Sequence, residues 1–195
     1  MQNEVILQAL LTPQHEIIKN KLYLGNGSAA DEAINKASKN ETKPAIAIVR
    51  CTHSVAKGEE AAIANGSIMH LDVKFGDKNF SAQSAEERQA VMDNFHRVYD
   101  FIEDALSKNI KVLVHCDGGA HRSPTILIAY LIRKEQIDVA TAEARVKKIR
   151  ACVDIDNHRE FLKLLQQELQ IENAPANVHT PLLNNNRRSC TCTLF

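Results

Sequence analysis

Val112–Thr125 reads VLVHCDGGAHRSPT, and the fold turns on how this stretch divides. Three apolar residues, Val112, Leu113 and Val114, stop at His115 and Cys116. Two adjacent glycines, Gly118 and Gly119, follow, and then Arg122, Ser123 and Pro124 open an apolar run from Ile126 to Ile132. The run before the glycines has the character of a buried strand, the run after them that of a buried helix. Pro124 suits the first turn of that helix, where its missing N–H leaves no bond unmade. A strand, a glycine loop and a helix N-terminus form an anion site, because successive backbone N–H groups converge and the helix dipole favours negative charge.

Two side chains make such a cradle reactive. A thiol at Cys116 facing the loop amides is favoured as thiolate, and the thiolate is the nucleophile. Arg122 follows six residues later, where a curled loop returns its guanidinium over the same anion; its planar fork holds two phosphate oxygens at once. Ser123 can donate to the sulfur, and His115 can orient the loop from behind. Plainer readings compete. A buried cysteine after a strand is more often structural than catalytic. His115, Cys116 and His121 as metal ligands lack a fourth ligand at matching spacing. A single-domain sulfurtransferase of the rhodanese type also carries a cysteine anion loop, but it fits the flanking sequence less well.

Written as His-Cys-x-x-Gly-x-x-Arg-Ser, the segment HCDGGAHRS resembles the signature loop of the cysteine-based dual-specificity protein phosphatases. LYLGN at 22–26 resembles the entry strand of that family, and VDIDNHREFLKLLQQEL at 153–169 resembles its closing helix. The resemblance implies displacement at phosphorus with no metal and no cofactor. Cys116 would attack, and Ser123 would assist. The loop from Asp117 through Gly118, Gly119, Ala120 and His121, with Arg122, would hold the phosphate, and His115 would support it. It also implies an aspartate donor on a loop after the strand that precedes a long helix. HLDVKFGD at 70–77 matches that place and sets Asp77 in the donor's position, with Asp72 as runner-up. The distance from Asp77 to Cys116 exceeds the family's usual spacing, with KNFSAQSAEE at 78–87 as the extra stretch. An aspartate beside a glycine is also common turn chemistry, so a surface role for both stays open. Some relatives, including the phosphatases of regenerating liver, hold a cysteine that traps the nucleophile as a reversible disulfide. Cys51 stands at the matching place here, against the plainer reading of a small buried hydrophobe.

The rest of the chain alternates strand and helix patterns. Strands are expected at 21–27, 45–50 and 67–73. A helix capped by Ser28 runs to Ala37, and a long one from Ser84 to Asn109 carries Val91, Phe95, Val98, Ile102 and Leu106 on one face. Asp138 opens a further helix, and Asp156 and Asn157 cap the last. Residues 57–66 read as a loop or a poor helix, and 1–14 as a short helix or strand. The alternation predicts an α/β fold, a central and mainly parallel sheet flanked by helices, with ligands bound beyond the strand carboxyl ends. The expected division is an edge segment over 1–20, a catalytic domain over 21–172 and a flexible tail over 173–195.

Composition bounds the partners. Lys+Arg and Asp+Glu balance at 24 each in 195 residues, so nothing announces nucleic acid. No apolar run reaches the roughly 20 residues that span a bilayer, and the N-terminus lacks the basic start of a secretory signal. Five scattered cysteines suit a reducing, cytoplasmic setting better than a disulfide scaffold. A phosphoprotein is therefore the expected substrate of a monomeric enzyme, since the acidic Asp117 disfavours inositol polyphosphates. A phosphoprotein-binding pseudophosphatase, or a phosphoinositide or RNA-triphosphate phosphatase on the same fold, are the alternatives. The last four residues, CTLF, fit a prenylation pattern at Cys192, although Thr193 is not aliphatic. Arg187, Arg188 and Cys190 could supply the second signal that stable anchoring to the cytoplasmic face of a eukaryotic membrane needs.

Overall fold

The computed structural model describes residues 2–73, 75 and 78–170. Five strands form one sheet: β1 (Gln14–Ile18), β2 (Leu22–Gly25), β3 (Ile46–Arg50), β4 (Ile68–Asp72) and β5 (Val112–His115), in the order β1-β2-β5-β3-β4. All neighbours pair in parallel except β1, which runs antiparallel to β2. β5 lies at the centre, bonded to β2 and β3, and each of its four residues is buried. That position explains its unbroken apolar run, because a strand covered on both faces needs no polar side.

Alternation along β5 divides the core. Val112 and Val114 join a large cluster with α4 (Ala85–Ser107), α5 (Arg122–Glu135), α6 (Val139–Ile149) and α7 (Arg159–Glu168). Leu113 faces the other way, onto Ala29 and Ala30 of α2 (Gly27–Ser38). Ile48 and Ile68 pack on that same side with Ile34 of α2 and Ala62 of α3 (Glu59–Ala64). The result is a three-layer sandwich in which the 116–122 loop leaves the middle of the sheet. Among the described residues no helix is long and apolar enough to cross a membrane.

Local signals hold well at two helix starts. Ser84 and Glu87 form a reciprocal capping box on α4, and the Asp138 carboxylate accepts the Thr141 N–H at 2.7 Å on α6. Elsewhere the structure differs from the expectation. α2 is capped by Asn26, whose side chain accepts the Ala29 N–H, so Ser28 lies inside the helix. Asp156 and Asn157 form a single 3₁₀ turn, and α7 begins only at Arg159. Of the loop and the poor helix left open over 57–66, the structure has the helix, at residues 59–64, entered through Gly58 at φ +77°. The N-terminal stretch holds both a helix, α1 (Gln2–Leu11), and the strand β1.

Candidate active site

The 116–122 loop is held open from behind. Asp117 O accepts the Gly27 N–H at 3.1 Å, and Ala120 O accepts the Asp154 N–H at 2.8 Å. Gly118 O and Gly119 O both accept from Arg150, at 3.0 and 2.8 Å. Four consecutive carbonyls thus turn outward. A trans peptide sets the following N–H opposite its carbonyl, so the amides of the loop turn inward. Those of Gly118, Gly119, Ala120 and His121 donate to no protein acceptor among the described residues. Gly119 takes φ +65°, the left-handed region, and sits where a Cβ would lie 2.7 Å from Gly25 O.

Cys116 stands at the floor of this ring, 2% exposed. The buried Ser123 hydroxyl donates to its sulfur at 3.2 Å, from the first turn of α5. Arg122, the first residue of α5, closes the rim, with its guanidinium against the Asp117 carboxylate at 2.6 Å. Asp117 is also fixed by the Thr52 hydroxyl at 2.7 Å. The hydrogen bond from Thr52, then those from Ser54 and Arg122, lower its carboxyl to about 2 against the opposing pull of burial. His121 turns away from the ring, its Nδ1 2.9 Å from Asp154 O.

Beside Cys116, His115 is buried at the end of β5. Burial, with the positive charge of Arg50 and His70 nearby, lowers it to about 4, so the ring is neutral at physiological pH. Cys51 continues β3 into this region, fully buried, and its N–H bonds His115 O at 2.8 Å. Burial pushes its thiol well up, and the Cys116 charge pushes the same way. Asp72, at the end of β4, lies on Arg50, with both carboxylate oxygens 3.2 Å from guanidinium nitrogens. Asp77 and the tail cysteines Cys190 and Cys192 lie outside the described residues. No group of three or more His, Cys, Asp or Glu among the described residues could hold a metal.

Thr52 and Arg150 are parts of this site that the sequence reading did not pick out. Thr52 sits in the segment after β3 that attracts notice only for Cys51. Arg150 follows Lys147 and Lys148 at the end of an amphipathic helix, where basic residues ordinarily answer the helix dipole. Its partners are 31 and more positions away, and no local pattern encodes them.

A thiol, a hydroxyl on its sulfur, a ring of inward amides and an arginine at the rim, on an α/β sheet, are the groups that can hold a phosphate over a sulfur nucleophile. The sequence model of the dual specificity phosphatase catalytic domain matches residues 22–168, and the chain belongs to that family. Human dual specificity protein phosphatase 5 is 36% identical over 91 residues, 47% of this chain and 23% of that protein. The Dictyostelium discoideum "probable dual specificity protein phosphatase" is 26% identical over 171 residues, 85% of this chain and 70% of that one. The chain therefore spans under a quarter of the human relative. The crystal structure of human DUSP28 shares the fold at a TM-score of 0.61, with 20% identity over 82% of this chain and 96% of that one.

Proposed function

We propose that this chain is a protein phosphatase that hydrolyses phosphotyrosine, phosphoserine or phosphothreonine through a phosphocysteine. The observation that carries the proposal is the buried Cys116 sulfur, with Ser123 as its donor, at the start of a loop whose carbonyls from Asp117 to Ala120 are all held outward. The thiolate attacks phosphorus, and the S–P bond forms as the P–O bond to the leaving oxygen breaks. Loop amides and Arg122 hold the remaining oxygens, where charge builds. Asp77 gives its proton to the leaving oxygen; then, as base, it takes one from the water that breaks the S–P bond and frees Cys116. Asp77 is favoured over Asp72 because the Asp72 carboxylate is engaged by Arg50. The test is turnover of a generic aryl phosphate, sensitive to vanadate. Cys116→Ser should abolish turnover while phosphate still binds, and Asp77→Asn should remove the basic limb of the pH–rate profile. Persistent turnover in Cys116→Ser overturns the proposal.

The protein substrate is favoured over an inositol polyphosphate because the loop itself carries an ionised carboxylate at its mouth. A panel of phosphopeptides, phosphoinositides and triphosphate-ended RNA decides this point. Under peroxide, we propose that Cys116 is oxidised to a sulfenic acid and that the Cys51 thiol displaces water from it to form a disulfide. The reading rests on Cys51 following β3 beside the place where Cys116 follows the neighbouring β5, with the Cys51 N–H bonded to His115 O at 2.8 Å. A peptide pair joined through these two cysteines after mild oxidation supports it, and its absence returns Cys51 to the core. Finally, a monomer in the cytoplasm, held to the membrane by a geranylgeranyl group on Cys192 with help from Cys190, is the reading the tail motif favours. Intact mass after expression in a eukaryotic cell, with and without Cys192→Ser, tests it.

A further inference from the structure

Arg150 is wholly buried, yet among the described residues no carboxylate partners it. Its guanidinium donates to Gly118 O, Gly119 O and Thr12 O, and to His15 Nδ1 at 2.8 Å. Three of these partners are backbone carbonyls and the fourth is an imidazole nitrogen, and no acid pairs with Arg150 among the described residues. A buried cation without a counter-charge is costly, and proteins rarely keep one without cause. The loop it grips is the one that starts at Cys116, so an anion held in that loop would answer this charge. The same guanidinium decides which way two peptides face. By gripping Gly118 O and Gly119 O it directs the N–H groups of Gly119 and Ala120 into the ring. A Cβ on Gly119 would lie 2.9 Å from Arg150 Nη2, so the approach is close enough to require glycine.

The other side of Arg150 is held by the N-terminal segment. Thr12 and His15 precede residue 22, where the match to the family begins. Thr12 lies in the turn between α1 and β1 and His15 lies in β1 itself, whose Gln14 is paired with Gly25, the residue beneath Gly119. We infer that Arg150 is a positioning residue for the phosphate ring, and that the segment ahead of the family-matched region, through Thr12 and His15, is a working part of the active site. This rests on the loop being a phosphate site.

The experiment uses the full chain and reads inorganic phosphate and vanadate binding by calorimetry beside kcat and KM for an aryl phosphate. Arg150→Met, which keeps the packing and removes charge and fork, should weaken phosphate at least tenfold and lower kcat/KM at least a hundredfold. Arg150→Lys, which keeps the charge, should recover part of the phosphate affinity. His15→Ala lies outside the loop and should weaken phosphate two- to fivefold with kcat reduced; it decides the matter if Arg150→Met fails to fold. Loss of thermal stability with phosphate affinity unchanged in both Arg150→Lys and His15→Ala would reduce Arg150 to a structural residue and overturn the inference. If the wild-type chain binds phosphate but turns nothing over, the phosphatase proposal fails while the effect of these variants on phosphate binding still judges Arg150.

Discussion

Asp117 and Arg122 face each other across the mouth of the loop, Oδ2 to Nη2 at 2.6 Å, although an incoming phosphate would claim that same nitrogen. Thr52 holds the carboxylate in place from β3's end, so the pair is part of the loop's built geometry. A resident carboxylate competes with the substrate for the guanidinium and repels its charge.

The consequence is measurable in KM. The Asp117 side chain is half exposed, so water and salt weaken the pair, and exposed ion pairs are worth up to about 1 kcal/mol. Asp117→Asn keeps an acceptor for Thr52 and removes the charge. It should lower KM for a small aryl phosphate roughly threefold to tenfold, with kcat little changed. Because the carboxyl is held at about 2, it stays ionised at any working pH, and the ratio between variant and wild type should be flat from about pH 5 to 8. A higher KM in the variant would mean that Asp117 orients Arg122 instead of competing for it.

Ser123 should act on the second half of the reaction. Its buried hydroxyl donates to the buried Cys116 sulfur, and a hydrogen bond to a charged group is worth about 1.5–3 kcal/mol. When water attacks the phosphocysteine, sulfur leaves as thiolate, and this donor stabilises it. Ser123→Ala should therefore lower kcat roughly ten- to a hundredfold with KM nearly constant, and a pre-steady-state burst should appear. A variant that slows the burst itself would place the hydroxyl's effect in the attack step.

The glycines of the loop should differ sharply. Gly119 takes φ +65°, and a Cβ there meets Gly25 O at 2.7 Å and the Arg150 guanidinium at 2.9 Å. Around Gly118 a Cβ meets nothing within 4 Å. Gly119→Ala should cost about 1–3 kcal/mol of stability and most of the activity, whereas Gly118→Ala should melt within a few degrees of the wild type. Paired melting curves and aryl phosphate assays check both.

What the sequence discloses is what sequence-local physics fixes. The strand–loop–helix at 112–125 is legible because its apolar runs, glycines and Pro124 lie within one short window. The Ser84 and Asp138 caps are legible for the same reason. α2 is a nearer miss. Asn26 and Ser28 are both capping residues, and the tie is broken by the Asn26 N–H bonding Pro13 O, a contact from the N-terminal segment. α3 depends on buried Glu59, held by Arg50 at 2.6 Å and beside His70 at 3.1 Å, so its stability comes from partners on two strands. Arg150 is the extreme case, since its meaning lies in carbonyls of a loop and in a segment 138 residues away.

His115 gives the fold a dependence on pH. Its folded pKa of about 4 lies below the ordinary 6.5, chiefly because burial disfavours the charged ring. The unfolded chain therefore takes up a proton at a higher pH than the folded one, and stability falls as the pH drops from about 6.5 toward 4. His15 and His70 are lowered as well, both mainly by burial, and act in the same direction. For His115 alone the loss between pH 7 and pH 5 should be about 2 kcal/mol. Urea unfolding at the two pH values measures it, and the midpoint should move down at pH 5. In His115→Asn, which cannot take up the proton, that shift should shrink by most of the His115 share, leaving the contribution of His15 and His70. An undiminished shift in the variant would assign the acid sensitivity to those two rings instead.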